Sequence, residues 1–320
     1  MIIDTSNTLP TREMLFADLF TSQPGMEGYI KLFGAKWSGW LGLTPQEFEE
    51  MANTLSGDKL RETLIDLAET GPIGMENFIR TLRENGITWS AVHNMDESNA
   101  TGPALPNSYV EDMLKKYPGQ FIAFAGYNPH KQAESIANVE KALTAQGFRA
   151  VVFRPFVHGC YADDRRYYPL YSLCEKLGAP VWIHTSVNWM ANVSMYYGHP
   201  RYLEQVLIDF PKLNIIAGHG GWPWIPDVVL MAWKYDNLYI DTSAHRPKYL
   251  ATPDTGWDMF MRYANSTIQD KICFGSDWLS IGMHIKDVLQ EVDGWPLKDS
   301  VKEKFLYKNA ARIFRLEQGP

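Results

Sequence analysis

The sequence predicts an α/β chain folded as a single (β/α)8 barrel, with an insertion after its first strand. Three observations predict it: eight short apolar runs recur along the 320 residues, amphipathic stretches lie between them, and polar residues crowd the C-terminal ends of the runs. A run that is apolar throughout, rather than alternating in polarity, is expected of a parallel strand covered on both faces. Strand and helix alternating eight times point to a closed barrel. An open, doubly wound sheet is the competing arrangement. It wants a glycine-rich first turn for phosphate, and the DTSNTLP that follows the first run is not one.

The runs are MIID (1–4), ITWSAVHN (87–94), FIAFAGYN (121–128), FRAVVFRPF (148–156), PVWIHTS (180–186), LNIIAGHGG (213–221), LYIDTSAH (238–245) and KICFGSDW (271–278). Between them lie MENFIRTLRENG, SYVEDMLKKYPG, SIANVEKALTAQG, YYPLYSLCEKLG and YLEQVLIDFPKL, several closing on Gly or Pro just ahead of the next strand. Residues 11–75 break this pattern, with FADLFTSQPGMEGYIKLFGAKWSGW followed by the helical LTPQEFEEMANTLSGDKLRETLIDLAE. An insertion after strand one of a barrel belongs over the mouth, as a lid or an oligomer contact. VKEKFLYKNAARIF reads as a closing helix, and residues 1–320 form one domain.

Composition narrows the function. The net charge is −7 and no Lys/Arg-rich block occurs, so the electrostatic footprint of a nucleic-acid binder is missing. No apolar run reaches membrane-spanning length, and MIIDTSNTLP lacks the basic and apolar regions of a signal peptide. Cys160, Cys174 and Cys273 are too far apart for a CxxC site, which fits a reducing, cytoplasmic compartment. The expected partner is a small molecule, and the expected assembly is a homo-oligomer, a dimer. The 11 Trp, 16 Tyr and 15 Phe fill a core or wall a pocket for a flat substrate.

In such barrels, catalytic groups sit at the C-terminal ends of the strands. Here those ends carry His93, Asn94, His130, Arg154, His184, His219, Asp241, His245 and Asp277. One buried polar residue is ordinarily a hydrogen-bonded structural group. So many together call for a function, because each costs desolvation. Arg154 reads either as a salt bridge inside the barrel or as a fork for a substrate carboxylate. Trp182 reads as core. Trp222 and Trp224 wall the pocket or pack the following helix. Cys160 has no patterned base beside it, and His199 and His284 read as surface or loop residues.

PVWIHTS, IIAGHGGWPW, NLYIDTSA and ICFGSDW, with KNAARIF near the end, resemble the amidohydrolase superfamily. The resemblance is to the amidohydrolase-related branch that includes the aminocarboxymuconate-semialdehyde decarboxylase-like proteins. It implies a divalent metal held by a His-x-His pair on strand one, a His on strand five and an Asp on strand eight, with a strand-six His moving protons. Carried over, His184 is the strand-five position, His219 the acid/base and Asp277 the strand-eight carboxylate. The strand-one pair is replaced by Ser6 and Thr8, and a neutral hydroxyl is a poor ligand for zinc. A zinc-type divalent metal would be left with His184 and Asp277, unless His93, His130 or His158 joined them or an oxygen-preferring ion were used. No other cofactor is implied.

The expected site is therefore His219, Asp277 and His184 as catalytic residues, with Arg154, Ser6, Thr8, Trp222 and His93 around the substrate. Its leading expected reaction is hydrolysis of a small ester, lactone or amide, carboxylated or aromatic. The alternatives are non-oxidative decarboxylation of an aromatic or muconate-type acid, and a non-catalytic binding protein. Loss of the strand-one ligands counts against decarboxylation, because the relatives that perform it depend on metal.

Overall fold

Every expected run forms a strand. They are β1 (Ile2–Asp4), β2 (Ile87–Asn94), β3 (Phe121–Gly126), β4 (Ala150–Phe153), β5 (Val181–His184), β6 (Ile215–Gly218), β7 (Leu238–Asp241) and β8 (Ile272–Cys273). The structure, a computed structural model, describes residues 1–18, 20 and 27–316; parts of the insertion (19 and 21–26) and of the tail (317–320) lie outside the described residues. All pairings are parallel, in the order β1 to β8. The ends of the sheet meet where Thr5 N–H donates to the Phe274 carbonyl at 3.0 Å and Asp277 N–H to the Ser6 carbonyl at 2.9 Å. Asp4 fastens the same seam, accepting from the Ser276 amide at 2.8 Å and from the Ser276 hydroxyl.

Side chains divide between two cores by the period of the strand. In β4, Ala150 and Val152 point inward while Val151 and Phe153 pack under the helices. Trp182 in β5 and Ile216 in β6 point inward, and their neighbours Val181, Ile183, Ile215 and Ala217 point outward. Each fully buried aliphatic of this kind contributes roughly 1.5–3 kcal/mol. The tail runs through helical Asp299–Glu303, a wider turn at Lys304–Lys308 and helical Asn309–Ile313. Phe314 then packs on Phe124 with ring centroids 5.3 Å apart, closing the interior from below.

Several strands are shorter than their apolar runs. The run 148–156 keeps strand form only to Phe153, because Pro155 has no N–H to extend the ladder and opens a single turn, Pro155–His158. The run 271–278 leaves the sheet after Cys273. The polar residues that follow are thus released to face the mouth.

Among its described residues the insertion forms four helices: α1 (Arg12–Ala17), α2 (Glu27–Leu41), α3 (Pro45–Thr54) and α4 (Gly57–Thr70). A capping box of Thr44 and Glu47 starts α3. Arg12 on α1 reaches Glu62, Asp66 and Glu69 on α4, pinning those helices together. Trp37 and Trp40 of α2 donate their indole N–H groups to the carbonyls of Ser280 and Leu279, at 2.7 and 3.2 Å. That docks α2 against the loop after β8, at the mouth.

Candidate active site

A cavity of about 580 Å³ opens at the C-terminal ends of the strands. Ser6, Thr8, His93, Arg154, His184, His219, Trp222 and Asp277 all line it. Their convergence follows from topology, since each lies at or just beyond the end of its strand. Trp182, read as core, is both: it is 1% exposed and still forms part of the cavity wall. Trp224 does not line the cavity and packs on His199 at 4.5 Å. His130 and His158 belong to a neighbouring network. His158 sits between the Tyr167 hydroxyl (2.8 Å) and the Asp96 carbonyl (3.0 Å), while His130 donates to the His158 carbonyl (2.8 Å).

The partners of His219 define its protonation. Its Nδ1 lies 2.7 Å from the Ser243 hydroxyl, and that hydroxyl donates to Asp241. Ser243 has one proton to give and gives it to the carboxylate, so it accepts from His219 Nδ1–H. The Nε2 of His219 is then left without a proton. Asp241 also accepts from Thr5 Oγ1, Ser243 N and His219 N, which fixes the whole arrangement. Asp277 does not hold His219: its Oδ1 accepts from the Ser280 hydroxyl at 2.8 Å.

Burial sets the charge states. Loss of water raises Asp277 to about 8, with negative Asp18 the next contribution, so its carboxyl is largely protonated at neutral pH. Desolvation lowers His219 and His93 to about 4 and His245 to about 3, and it pushes His184 well down. The cavity is therefore lined by neutral imidazoles. His93 spends Nε2 on the Thr5 carbonyl at 3.2 Å and packs its ring on Phe124 and Trp182. His184 Nδ1 is buried and has no partner among the described residues.

Arg154 is not the open fork that a substrate carboxylate would need. Its Nε and Nη2 both bond Glu97, at 2.5 Å each, and its Nη1 bonds Asp18 at 2.8 Å. The salt-bridge alternative is the one observed. The glycines around His219 make room for protein. A Cβ on Gly218 would lie 2.1 Å from the Trp182 ring, and one on Gly220 would lie 2.4 Å from Trp257.

Three strand-end residues of the cavity wall have a left-handed backbone: His219 (φ 60°), Ala244 (φ 61°) and Asp277 (φ 48°). Side-chain-bearing residues adopt it at a cost, and it clusters at functional sites.

The sequence reading missed the insertion's share. One face of α2, at i, i+4, i+7 and i+8, contributes Tyr29, Phe33, Lys36 and Trp37 to the cavity. Asp18 and Trp189 also line it. Lys36 makes no ion pair among the described residues, whereas the other cations of the wall are taken: Arg154 as described, and Arg246 by Glu291 at 2.5 Å. No motif marks these residues. Ser243 had a signal, since it stands two residues after the strand-end Asp241.

The sequence matches the Amidohydrolase family over residues 83–316. The chain belongs to that family. Among its relatives, the chain is 22% identical over 330 residues to a gamma-resorcylate decarboxylase of Rhizobium sp. (strain MTP-10005), covering 85% of this chain and 95% of the relative. It superposes on an uncharacterized TIM-barrel protein from Bordetella bronchiseptica with a TM-score of 0.71 and 24% identity, over 98% of both chains. A dihydroxybenzoic acid decarboxylase from Polaromonas sp. JS666, solved with bound manganese and the inhibitor 2-nitroresorcinol, superposes at 0.60 with 17% identity, over 84% of this chain and 93% of that one. The fold and the superfamily are those expected, and both of these relatives with a stated activity are decarboxylases. Among the described residues no helix is long and apolar enough to cross a membrane.

The donor set of this chain does not fit the metal that the superfamily implies. Its strand-one positions offer the neutral hydroxyls of Ser6 and Thr8, and among the described residues no three His, Cys, Asp or Glu converge as ligands.

Proposed function

We propose that the chain is a carboxy-lyase that removes carbon dioxide, without oxidation, from a small hydroxylated aromatic acid. The observation that carries this reading is the convergence of Asp277, whose carboxyl burial raises, and His219, whose Nε2 is free, on the wall of one aromatic-lined cavity. In ester, lactone or amide hydrolysis Asp277 or His219 would take a proton from water, whereas a carboxyl raised to about 8 is better suited to giving one. The likeness to a gamma-resorcylate decarboxylase and to a solved dihydroxybenzoic acid decarboxylase supports the same choice over ester, lactone or amide hydrolysis.

The residues divide the work as follows. His219 Nε2, unprotonated, accepts the proton of a ring hydroxyl ortho or para to the carboxylate, which enriches the ring in electrons. Asp277 gives its proton to the ring carbon that bears the carboxylate, so a C–H bond forms as the Asp277 O–H bond breaks. The carbon–carbon bond then cleaves, its electron pair returns to the ring and carbon dioxide leaves. The phenolate recovers its proton from His219, and Asp277 recovers one from water. Lys36 neutralises the acid's charge as it enters, while Phe33, Trp37, Trp182 and Trp189 offer faces to the ring.

A panel of hydroxylated benzoic acids, followed by carbon dioxide release in heavy water, tests the reading. Turnover should place one deuterium on the vacated carbon. Hydrolysis of esters or lactones, with no carbon dioxide from any acid of the panel, would overturn it.

A further inference from the structure

The corner of the mouth where strand-one ligands would stand is occupied by a closed chain of hydrogen bonds. Thr8 Oγ1 donates to Asp18 Oδ2 at 2.5 Å. Asp18 Oδ1 accepts from Arg154 at 2.8 Å, and Arg154 holds Glu97 with two further bonds. Thr8, Arg154 and Glu97 are all buried, with exposures of 3%, 8% and 3%. The four residues come from the ends of β1, β2 and β4 and from the segment after α1, so the chain ties the insertion to three strands.

This arrangement bears directly on metal. His184 and Asp277 are two donors, and a stable site needs at least one more charged or imidazole ligand. Asp18 is the acidic side chain of the cavity wall that could complete the set. Both of its oxygens are already committed, one to a hydroxyl and one to a guanidinium. Freeing it would strand a buried guanidinium on a single carboxylate and leave Thr8 without its acceptor, and both losses disfavour the rearrangement. His93 cannot substitute through Nε2, which holds the Thr5 carbonyl, and although His219 keeps a free Nε2 on the same wall, no three His, Cys, Asp or Glu converge as ligands among the described residues.

We propose that this member of the family works without a divalent metal, its strand-one corner being organised by Thr8–Asp18–Arg154–Glu97 where a metal and its ligands would otherwise stand. The inference holds whichever reaction the cavity performs, and its test needs no substrate. The full chain is purified after growth with added zinc and manganese, analysed by elemental mass spectrometry, and titrated calorimetrically with ZnCl₂ and with MnCl₂. We expect fewer than about 0.1 ion per chain and no saturable binding tighter than about 1 mM. One equivalent of either ion, retained through dialysis and lost in His184→Ala or Asp277→Asn, would overturn the proposal. So would tight, saturable binding of either ion by the native chain in the titration. If turnover is found and persists after exhaustive chelation, that agrees with the metal result. A proposal that fails on metal content leaves the decarboxylation reading to be judged separately on product.

Discussion

The Nδ1 atom of His219 lies 2.7 Å from the Ser243 hydroxyl, and Ser243 passes that bond on to Asp241. The tautomer of the imidazole is therefore set from β7, the strand after its own. Ser243→Ala removes the link while leaving both ends in place. It should lower kcat by roughly tenfold to a hundredfold, the usual cost of losing a group that orients a working histidine. Nitrogen NMR of the His219 ring should show a mixture of tautomers in the variant and one in the native protein. Unchanged kcat with unchanged tautomer would show that Ser243 only fills space.

Asp277→Asn and His219→Ala should each reduce turnover by on the order of 10²-fold or more, as expected for acid–base groups. Both should fold, because the apolar layers of the barrel do not include them. The pH profile carries the signs. Asp277 acts as an acid, so kcat/KM should fall as pH rises through about 8. His219 acts as a base, so activity should also fall as pH drops toward about 4. A profile that rises through pH 8 would mean Asp277 acts deprotonated.

Lys36→Ala should raise KM for an acidic substrate about tenfold with little change in kcat, because a cation met on entry contributes equally to the ground and transition states. Lys36→Arg should restore most of the loss. Steady-state kinetics at low and high salt decide it, since screening should shrink the difference. A fall in kcat at constant KM would move Lys36 into the chemistry.

Stability should decline in acid. Burial holds His93, His158 and His219 at about 4 and His245 at about 3, below the ordinary 6.5. Desolvation lowers His184 as well. Between pH 6.5 and 4 the unfolded chain binds protons at these sites and the native chain does not, so acid favours unfolding. Asp4 and Asp277 act oppositely: raised to about 7 and about 8, they stabilise the fold as pH falls through those values. With five histidines against two aspartates, the stability maximum should lie near pH 6.5–7. Denaturant midpoints at pH 8, 7, 6 and 5 test this, and a midpoint highest at pH 5 would contradict it.

The strands were readable because parallel strands buried on both faces write themselves as continuous apolar runs, as AVVF and VWIH do. The strand-end residues were readable for the same reason, standing out as polar groups against those runs. What could not be read is pairing at a distance. Nothing in the sequence joins Arg154 to Glu97, 57 positions away, or Thr8 to Asp18. Nor does helix α2 announce which of its faces turns to the mouth, because its aromatic residues would serve a core equally well. Gly218 is ambiguous in the sequence for a related reason: a glycine reports that something approaches closely, here Trp182, and not whether it is ligand or protein.

His219, Ala244 and Asp277 stand at three successive strand ends, each with the backbone turned into a region that costs on the order of 1–3 kcal/mol per residue. The barrel beneath holds that tension, much as a frame holds a drawn string. A glycine at Ala244 would let part of it go, so the protein has a ready route to greater thermal endurance that runs through its own mouth. Selection for hardiness and selection for turnover would therefore act on the same short arc of chain and draw it in opposite directions.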